Sequence, residues 1–228
     1  MPMRPGGCNG YNPAMPLAVL RLLSETEFHS GEAVARALGI TRASVHNAVR
    51  EAQRLGITVH AVRGRGYRLA QRHDWLDAAW LDDAAQAFGW RVEVHERLDS
   101  TNSHLLAMAQ RGAAHGQVVV AEMQYAGRGR RGRVWQAELG RSLTFSLLWR
   151  FQRPLTALSG MSLVVGLALV RGFAELGVEA RLKWPNDVLL GEGKLAGILI
   201  ETQGDVQSGA SAVIGIGINL AVTAAAAE

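Results

Sequence analysis

The sequence is poor in cysteine, and Cys8 is the only one in 228 residues. A single cysteine excludes a disulfide framework and a cysteine-based metal site. It also favours a reducing compartment, so we expect the protein to be cytoplasmic. Residues 1–15 lack the charged-then-apolar order of a signal peptide, and we expect them to form a disordered leader.

Long apolar runs are also missing. The longest, over residues 155–170, is interrupted by Ser159, Gly160 and Gly166, and at 16 residues it is too short to span a bilayer comfortably. We therefore expect a buried helix at this position and no membrane partner.

Lysine is almost absent. Of the 24 basic residues only Lys183 and Lys194 are lysines, which leaves 22 arginines. Because the chain uses arginine almost wherever a positive charge suffices, its two lysines indicate sites that need a compact ammonium group rather than a guanidinium fork.

Arginine and glycine are concentrated in residues 121–135, AEMQYAGRGRRGRVW. Four arginines and three glycines occupy the seven positions 127–133. This pattern suits neither an amphipathic helix nor a half-buried strand, so it predicts a loop. Guanidinium forks match carboxylate and phosphate, and the loop therefore predicts a polyphosphate ligand or a small acid joined to one. The alternative is an exposed basic loop or a nucleic-acid tether.

Residues 16–69 predict a winged helix-turn-helix. Three short helices are predicted, the second capped by Ser30 and the third by Thr41. Two strands follow, joined by an Arg-Gly-Arg-Gly turn over residues 63–66. The span carries eight arginines against four acidic residues. A small helical dimerisation module is the alternative, but the basic outer face favours DNA. The predicted DNA-binding residues are Arg42, Ser44, Asn47, Arg50, Arg63 and Arg65.

After a linker at residues 70–74, strands and helices alternate over residues 75–228. The pattern predicts an α+β fold with a mixed sheet and its helices on one face. We expect helices at 75–88, 101–110 and 161–176, and strands at 91–96, 117–122, 143–149, 181–184, 187–190, 195–201 and 211–219.

Four further stretches carry chemistry. DSTN at residues 99–102 can hold a polar head group at a helix start, or it can be a simple N-cap. KWPND at 183–187 contains Asp187, which either holds Mg²⁺ or satisfies a turn. GKLAGILIE at 193–201 brings Lys194 to the start of an apolar strand. GIGIN at 215–219 clears side chains for a flat ligand, unless its glycines only form a bulge.

Five motifs follow one another along the chain, and both their order and their spacing are informative: DSTN, QxAGRGRRGRxW, KWPND, GKLAGIL and GIGIN. In this the chain resembles the bifunctional biotin–protein ligases and biotin-operon repressors of the BirA type, over residues 16–220. The resemblance implies a catalytic domain of the biotin/lipoate-ligase type that forms biotinyl-5′-adenylate from biotin and MgATP. The biotin is then transferred to a lysine of a biotin carboxyl carrier protein.

The resemblance also implies functional residues. Lys194, Arg128 and Arg130 would stabilise charge during adenylate formation. The implied biotin contacts are Ser100, Thr101, Asn102, Gln124, Arg128, Gly129, Arg130, Lys194, Gly197 and Leu199. The implied ATP contacts are Arg130, Arg131, Trp135, Asn186, Asp187 and Asn219, with Trp135 over the adenine and Asp187 as the Mg²⁺ ligand.

As partners, the resemblance implies the carrier protein, operator DNA and a second copy of the chain when the adenylate is bound. It also leads us to expect a shortened catalytic domain, without the family's usual SH3-like C-terminal domain. Two alternatives stay open at this stage. One is a lipoate-type acyl ligase, and the other is a DNA-binding regulator that senses its ligand without full ligase activity.

Overall fold

The computed structural model describes residues 15–152, 155–205 and 209–220. The chain divides into two compact units between His73 and Asp74. Within the described ranges, no helix has both the length and the apolar character needed to cross a membrane.

The first unit is a helical core with a two-stranded wing. Ser30 accepts a hydrogen bond from the backbone N–H of Ala33, and Thr41 accepts one from Ser44, so both predicted caps are confirmed. Leu17, Leu20 and Val45 are fully buried between the helices. The elements are α1 (Met15–Arg21), α2 (Gly31–Leu38), α3 (Arg42–Arg54), β1 (Val59–Val62) and β2 (Gly66–Leu69).

The wing has a third partner that local patterns did not predict. Beside the antiparallel β1–β2 pair, His29 and Tyr67 exchange two backbone hydrogen bonds of 2.8 Å. Gly66 lies against the His29 carbonyl with φ +105°, and a side chain there would overlap that carbonyl. Glycine is therefore required where the wing meets the segment before α2.

The second unit is built on a seven-stranded mixed sheet in the order β3-β4-β5-β9-β8-β7-β6. β3 and β4 are parallel and the other pairs are antiparallel. The predicted α+β class with a mixed sheet is confirmed. The elements are α4 (Ala78–Gln86), β3 (Arg91–Leu98), α5 (Thr101–Gln110), β4 (Gln117–Gln124), β5 (Ser142–Phe151), α6 (Met161–Glu175), β6 (Ala180–Lys183), β7 (Asp187–Leu190), β8 (Gly193–Asp205) and β9 (Gly209–Asn219).

Helices cover both faces of this sheet, so the expectation of helices on one face is wrong. Val213 of β9 packs with Leu105 of α5. Its neighbour Ile214 belongs to the cluster that includes Val165 and Leu169 of α6. Because successive strand residues point to opposite faces, α5 and α6 lie on opposite sides. The α6 face of β9 is apolar throughout its length, whereas Val213 is the one large apolar residue on its α5 face, beside Gly215 and Gly217.

The helix predicted at residues 161–176 is confirmed as α6 (Met161–Glu175), but the apolar run from residue 155 is not one helix, and α6 is only partly buried. Leu155–Leu158 forms a 3₁₀ turn, and α6 begins only at Met161. Gly166 is the buried residue of α6 and lies against Leu182 of β6. Val164 is 68% exposed, because the helix contacts the sheet along one stripe although its sequence is apolar all round.

The helix predicted over residues 75–88 is shorter than expected. Asp77 accepts hydrogen bonds from the N–H groups of Ala79 and Trp80, and the helix therefore starts at Ala78. Phe88 lies beyond the helix end and is 72% exposed.

Candidate functional site

A cleft of about 1100 Å³ opens on the α5 face of the sheet. It is lined by the start of α5, by the loop that contains the clustered arginines and glycines (residues 127–135, here called the Arg/Gly loop), by the turn between β6 and β7, and by parts of β8 and β9. All fifteen residues that the sequence predicted for the biotin and ATP sites line this one cleft: Ser100, Thr101, Asn102, Gln124, Arg128, Gly129, Arg130, Arg131, Trp135, Asn186, Asp187, Lys194, Gly197, Leu199 and Asn219. Their individual ligand roles stay predictions.

The start of α5 forms a buried polar corner. Ser100 caps the helix and accepts from the N–H of Ser103 at 3.5 Å. The backbone N–H of Thr101 donates to Gln124 Oε1 at 2.8 Å, and the Thr101 hydroxyl lies 3.2 Å from the same oxygen. Ser100 and Thr101 are each only 4% exposed. The corner therefore presents fixed donors and acceptors in a dry environment, which suits a neutral polar head group.

Asn102 ties α5 to two strands. Its Oδ1 lies 2.6 Å from the Ser146 hydroxyl, and its Nδ2 donates to Glu201 Oε2 at 2.9 Å. The amide rests on Gly215, where any side chain would overlap it. The first glycine of GIGIN thus makes room for Asn102, which corrects the expectation that it clears space for a ligand.

Trp135 packs against β8 and β9 beside Asn102, one glycine further along β9. Its indole covers Gly217 of β9, and its Cζ3 is 2.9 Å from where a Cβ on Gly197 would stand. The indole Nε1 is buried without a hydrogen-bond partner among the described residues. A flat group therefore does occupy the glycine surface, and it is a side chain of the loop itself.

Lys194 marks the charged end of the cleft. Its Nζ lies 2.8 Å from Asp187 Oδ1 and 5.5 Å from the centre of the Trp135 ring. Its Cε would be 3.1 Å from a Cβ on Gly197, so the lysine folds back over that glycine. Asn219 donates from Nδ2 to the Lys194 carbonyl at 2.9 Å and holds the strand beneath it.

The Arg/Gly loop closes on itself and on the sheet. The Trp135 N–H donates to the Gly127 carbonyl at 2.8 Å. Arg128 pairs with Val134 in an isolated β-bridge, and its Nη2 lies 2.7 Å from Glu201 Oε2. Arg130 Nη1 donates to Asn186 Oδ1 at 3.1 Å. Arg131 adopts φ +57°, which is rare for a residue with a side chain and forms the tip of the loop.

Glu201 and Ser146 are site residues that sequence reasoning missed. Glu201 accepts from both Arg128 and Asn102, and Ser146 is fully buried beneath Asn102. A charged residue ending the apolar run GILIE was a usable signal for Glu201. No local signal distinguished Ser146, because it is one polar residue within an ordinary strand.

The predicted DNA-binding residues lie in the first unit. Arg42, Asn47, Arg50 and Arg63 are exposed. The Ser44 hydroxyl lies 2.8 Å from the Thr41 hydroxyl and is engaged at the helix cap. The Arg65 guanidinium stacks on Phe28 at 4.5 Å, which holds it close to the wing.

Taken together, these features define a two-unit protein in which a helix-turn-helix precedes a mixed sheet with a cleft that is lined by arginine and lysine side chains. Residues 94–219 match the model of the biotin/lipoate A/B protein ligase family, and residues 17–68 match a helix-turn-helix domain model. The chain belongs to the biotin/lipoate A/B protein ligase family.

Among characterised relatives, the chain is 39% identical over 209 residues to the bifunctional ligase/repressor BirA of Escherichia coli K12, covering 91% of this chain and 64% of that protein. It is 37% identical over 202 residues to the protein of the same name from Bacillus subtilis 168, covering 85% of this chain and 61% of the relative. The chain thus spans a little under two thirds of the length of these relatives.

Among solved structures, the chain is similar to a biotin protein ligase from Aquifex aeolicus in complex with biotin and ATP. The TM-score is 0.49 with 31% identity, over 59% of this chain and 56% of the other.

Proposed function

We propose that the second unit is an adenylate-forming biotin–protein ligase. It would join biotin to AMP and pass the biotinyl group to a lysine of a biotin carboxyl carrier protein. The observation that carries the proposal is the order of groups along the sheet. A buried polar corner at Thr101 and Gln124 is followed by a glycine surface under Trp135, and then by the cation Lys194. Arg130 bonds to Asn186 in the same cleft, and Arg128 lies at the corner end, where it pairs with Glu201. The relatives named as ligase/repressor support the same activity.

This order suits the chemistry of the reaction. Biotin has a polar ureido head, an apolar stem and a terminal carboxylate. Its two ends match the polar corner and the cations, and its stem would lie along the Trp135 indole that covers the glycines. The carboxylate must approach the α-phosphate of ATP, and both are anions. Lys194 and Arg130 offset that repulsion and stabilise the negative charge that builds on the phosphate. The nucleophiles are supplied by the substrates, which explains why no catalytic serine or cysteine is needed.

Mg²⁺ fits one position in this proposal. Magnesium is commonly held by one or two carboxylates together with substrate phosphates. Asp187 is a carboxylate that lines the charged end and pairs with Lys194 at 2.8 Å. Asp187 would hold the ion, and the ion would neutralise phosphate charge when bound.

We also propose that the first unit binds operator DNA and that the chain acts as a biotin-responsive repressor in the cytoplasm. Exposed Arg42 and Arg50 on α3 and Arg63 on the wing provide phosphate contacts. Adenylate in the cleft would favour a homodimer, and a dimer presents two winged helices to a two-fold operator. The domain division we propose is residues 16–69, a linker at 70–74, and the ligase unit from 75 onward.

Pyrophosphate release tests the ligase proposal. The full chain is mixed with MgATP and, separately, with biotin, lipoate or octanoate. We expect pyrophosphate release with biotin and not with lipoate or octanoate. Biotin should then label one lysine on a carrier domain. Release with lipoate but not biotin would assign the lipoate alternative. Biotin binding without pyrophosphate release would assign the ligand-sensing regulator.

Operator affinity tests the repressor proposal. We expect DNA binding to tighten when biotin and ATP are both present, because the dimer is then favoured. By reciprocity, operator DNA should tighten adenylate binding by the same factor. Equal DNA affinity in both states would show that the helix-turn-helix is not controlled by the ligand.

A further inference from the structure

A second cluster of ligand-type side chains lies outside the cleft. Glu93 and His95 point to the same face of β3, since they are two residues apart on one strand. His104 reaches them from the first turns of α5. In the described part of the chain, these three form the group of histidine, cysteine and acidic residues with metal-ligand spacing, and their ligand atoms all lie within 4.8 Å of one another. None of them lines the cleft.

The geometry of the cluster is convergent. His95 Nε2 lies 2.6 Å from Glu93 Oε1, and His104 Nε2 lies 3.4 Å from the same oxygen. The two imidazole rings meet edge to face with centroids 4.8 Å apart. The side chains are between 25% and 39% exposed, so solvent and ions can reach them.

Two ring nitrogens lie close to one carboxylate oxygen, so the three ligand groups converge on one point. An exposed histidine or glutamate is satisfied by water, whereas these three turn toward one another. Arg97, two residues after His95 on the same strand, turns its Nη1 to the Tyr125 hydroxyl at 3.2 Å. Two imidazoles and one carboxylate are a donor set that zinc sites use, and neighbouring ligands of a tetrahedral zinc ion lie about 3.3 Å apart.

We propose that Glu93, His95 and His104 bind one divalent transition-metal ion of the zinc class. His95 Nε2, His104 Nε2 and a Glu93 oxygen are the protein ligands, and water completes the coordination. The hydrogen bond between His95 and Glu93 is replaced by two bonds to the metal. The proposal is independent of the ligase activity, because none of the three residues lines the cleft.

The position of the cluster gives the ion a structural consequence. β3 is an edge strand of the seven-stranded sheet and pairs only with β4 among the described strands. An ion held by β3 and α5 would fasten that edge to the helix. The His104 N–H donates to the Ser100 carbonyl at 3.0 Å, so the fastened turn is the one that carries Ser100, Thr101 and Asn102. Metal binding should therefore stabilise the start of α5 and raise the unfolding temperature.

Zinc titration of the full chain tests the proposal. All variants carry Cys8→Ser, because a free thiolate is itself a zinc ligand. Calorimetry with ZnCl₂, without nucleotide, should show one equivalent bound. Glu93→Gln, His95→Gln and His104→Gln should each weaken binding by at least about 100-fold, since even outer groups around a metal change affinity by 10- to 100-fold. His115→Gln is the matched control, because His115 packs on Trp149 away from the cluster.

A second measurement does not depend on any substitution in the cluster. Co²⁺ added to the Cys8→Ser chain should give the intense visible absorption of a tetrahedral site, and excess Zn²⁺ should abolish it. Circular dichroism confirms that each variant is folded. Saturable binding that persists in the histidine variants, or a dissociation constant weaker than about 100 µM in the parent, overturns the proposal.

Discussion

At the scale of single residues, Lys194 shows why an arginine-rich chain keeps a lysine. Its ammonium group sits 2.8 Å from Asp187, and its stem folds over Gly197 beneath the Trp135 ring. The space between Asp187, Gly197 and Trp135 fits the narrow lysine stem and its small ammonium group. A planar guanidinium is wider, and its donors would not converge on the same point.

We predict that Lys194→Arg slows adenylate formation by at least about tenfold, or roughly 1.4 kcal/mol of transition-state stabilisation. Pyrophosphate release in a single turnover measures the rate. Lys183→Arg is the comparison, because Lys183 lines the same cleft but is exposed. A rate loss confined to Lys194→Arg would show that the compact ammonium group is needed at Lys194 alone. An unchanged rate in Lys194→Arg would show that charge alone is required at this position.

Glu201 is one of the residues that hold the Arg/Gly loop to the sheet. It accepts from Arg128 at 2.7 Å and from Asn102 at 2.9 Å, with 27% of its side chain exposed. We predict that Glu201→Gln lowers the free energy of unfolding by about 1 kcal/mol, since the pair is partly screened by water. All six tryptophans follow Asp74, so their fluorescence during urea unfolding reports this unit alone.

Glu192→Gln is the matched control. Glu192 pairs with Arg181 at the same 2.7 Å, but the glutamate is 95% exposed. Removing the Glu192 charge should lower the free energy of unfolding only slightly, because exposed ion pairs contribute little to stability. If both substitutions had the same effect, Glu201 would have no special role in the loop.

At the scale of elements, the floor of the cleft depends on the glycines of β8 and β9. Gly215 is covered by the Asn102 amide, and Gly217 and Gly197 are covered by Trp135. These contacts join α5 and the loop to the sheet. A strand with ordinary side chains at these positions would push both away.

We predict that Gly215→Ala lowers the free energy of unfolding by about 1–3 kcal/mol, because the added methyl group overlaps the buried Asn102 amide. Gly172→Ala in α6 is the control, since a Cβ there meets no atom within 4 Å. That change should raise stability by about 0.5–1 kcal/mol, because alanine has the better helix propensity. Tryptophan fluorescence during urea unfolding measures both, and equal effects would contradict the close approach at Gly215.

At the scale of the whole molecule, positive charge is concentrated in the first unit. Residues 16–69 of this unit carry eight arginines and four acidic residues, and this excess of positive charge equals the net charge of +4 of the whole chain. Several of these arginines are exposed on α3 and on the wing. A basic helix face beside a basic wing is the electrostatic pattern of a DNA-binding unit.

We predict that Arg50→Ala reduces the salt dependence of duplex DNA binding by about one unit of slope, since one phosphate contact is lost. Affinity measured at several salt concentrations gives the slope. Arg54→Ala is the control on the same helix, because Arg54 pairs with Glu51 at 3.2 Å. Equal slopes for Arg50→Ala and the parent would place the DNA contact elsewhere.

The sequence by itself determined the features that depend on neighbouring residues. The Ser30 and Thr41 caps, the bounds Thr101–Gln110 of α5 and the Asp187–Leu190 strand were all predicted correctly. Each depends on hydrogen bonds or periodicity within a few residues. The cleft residues were also found from sequence, because their chemistry is concentrated in five short motifs.

Only the tertiary structure decided which distant groups meet. Arg128 and Glu201 are 73 positions apart, and Asn102 and Ser146 are 44 apart. The sheet order brings them together, and no local pattern encodes that order. The outward face of α6 and the link from His29 to the wing were missed for the same reason. Burial and pairing are properties of packed elements, and they are settled only when the elements have been placed against one another.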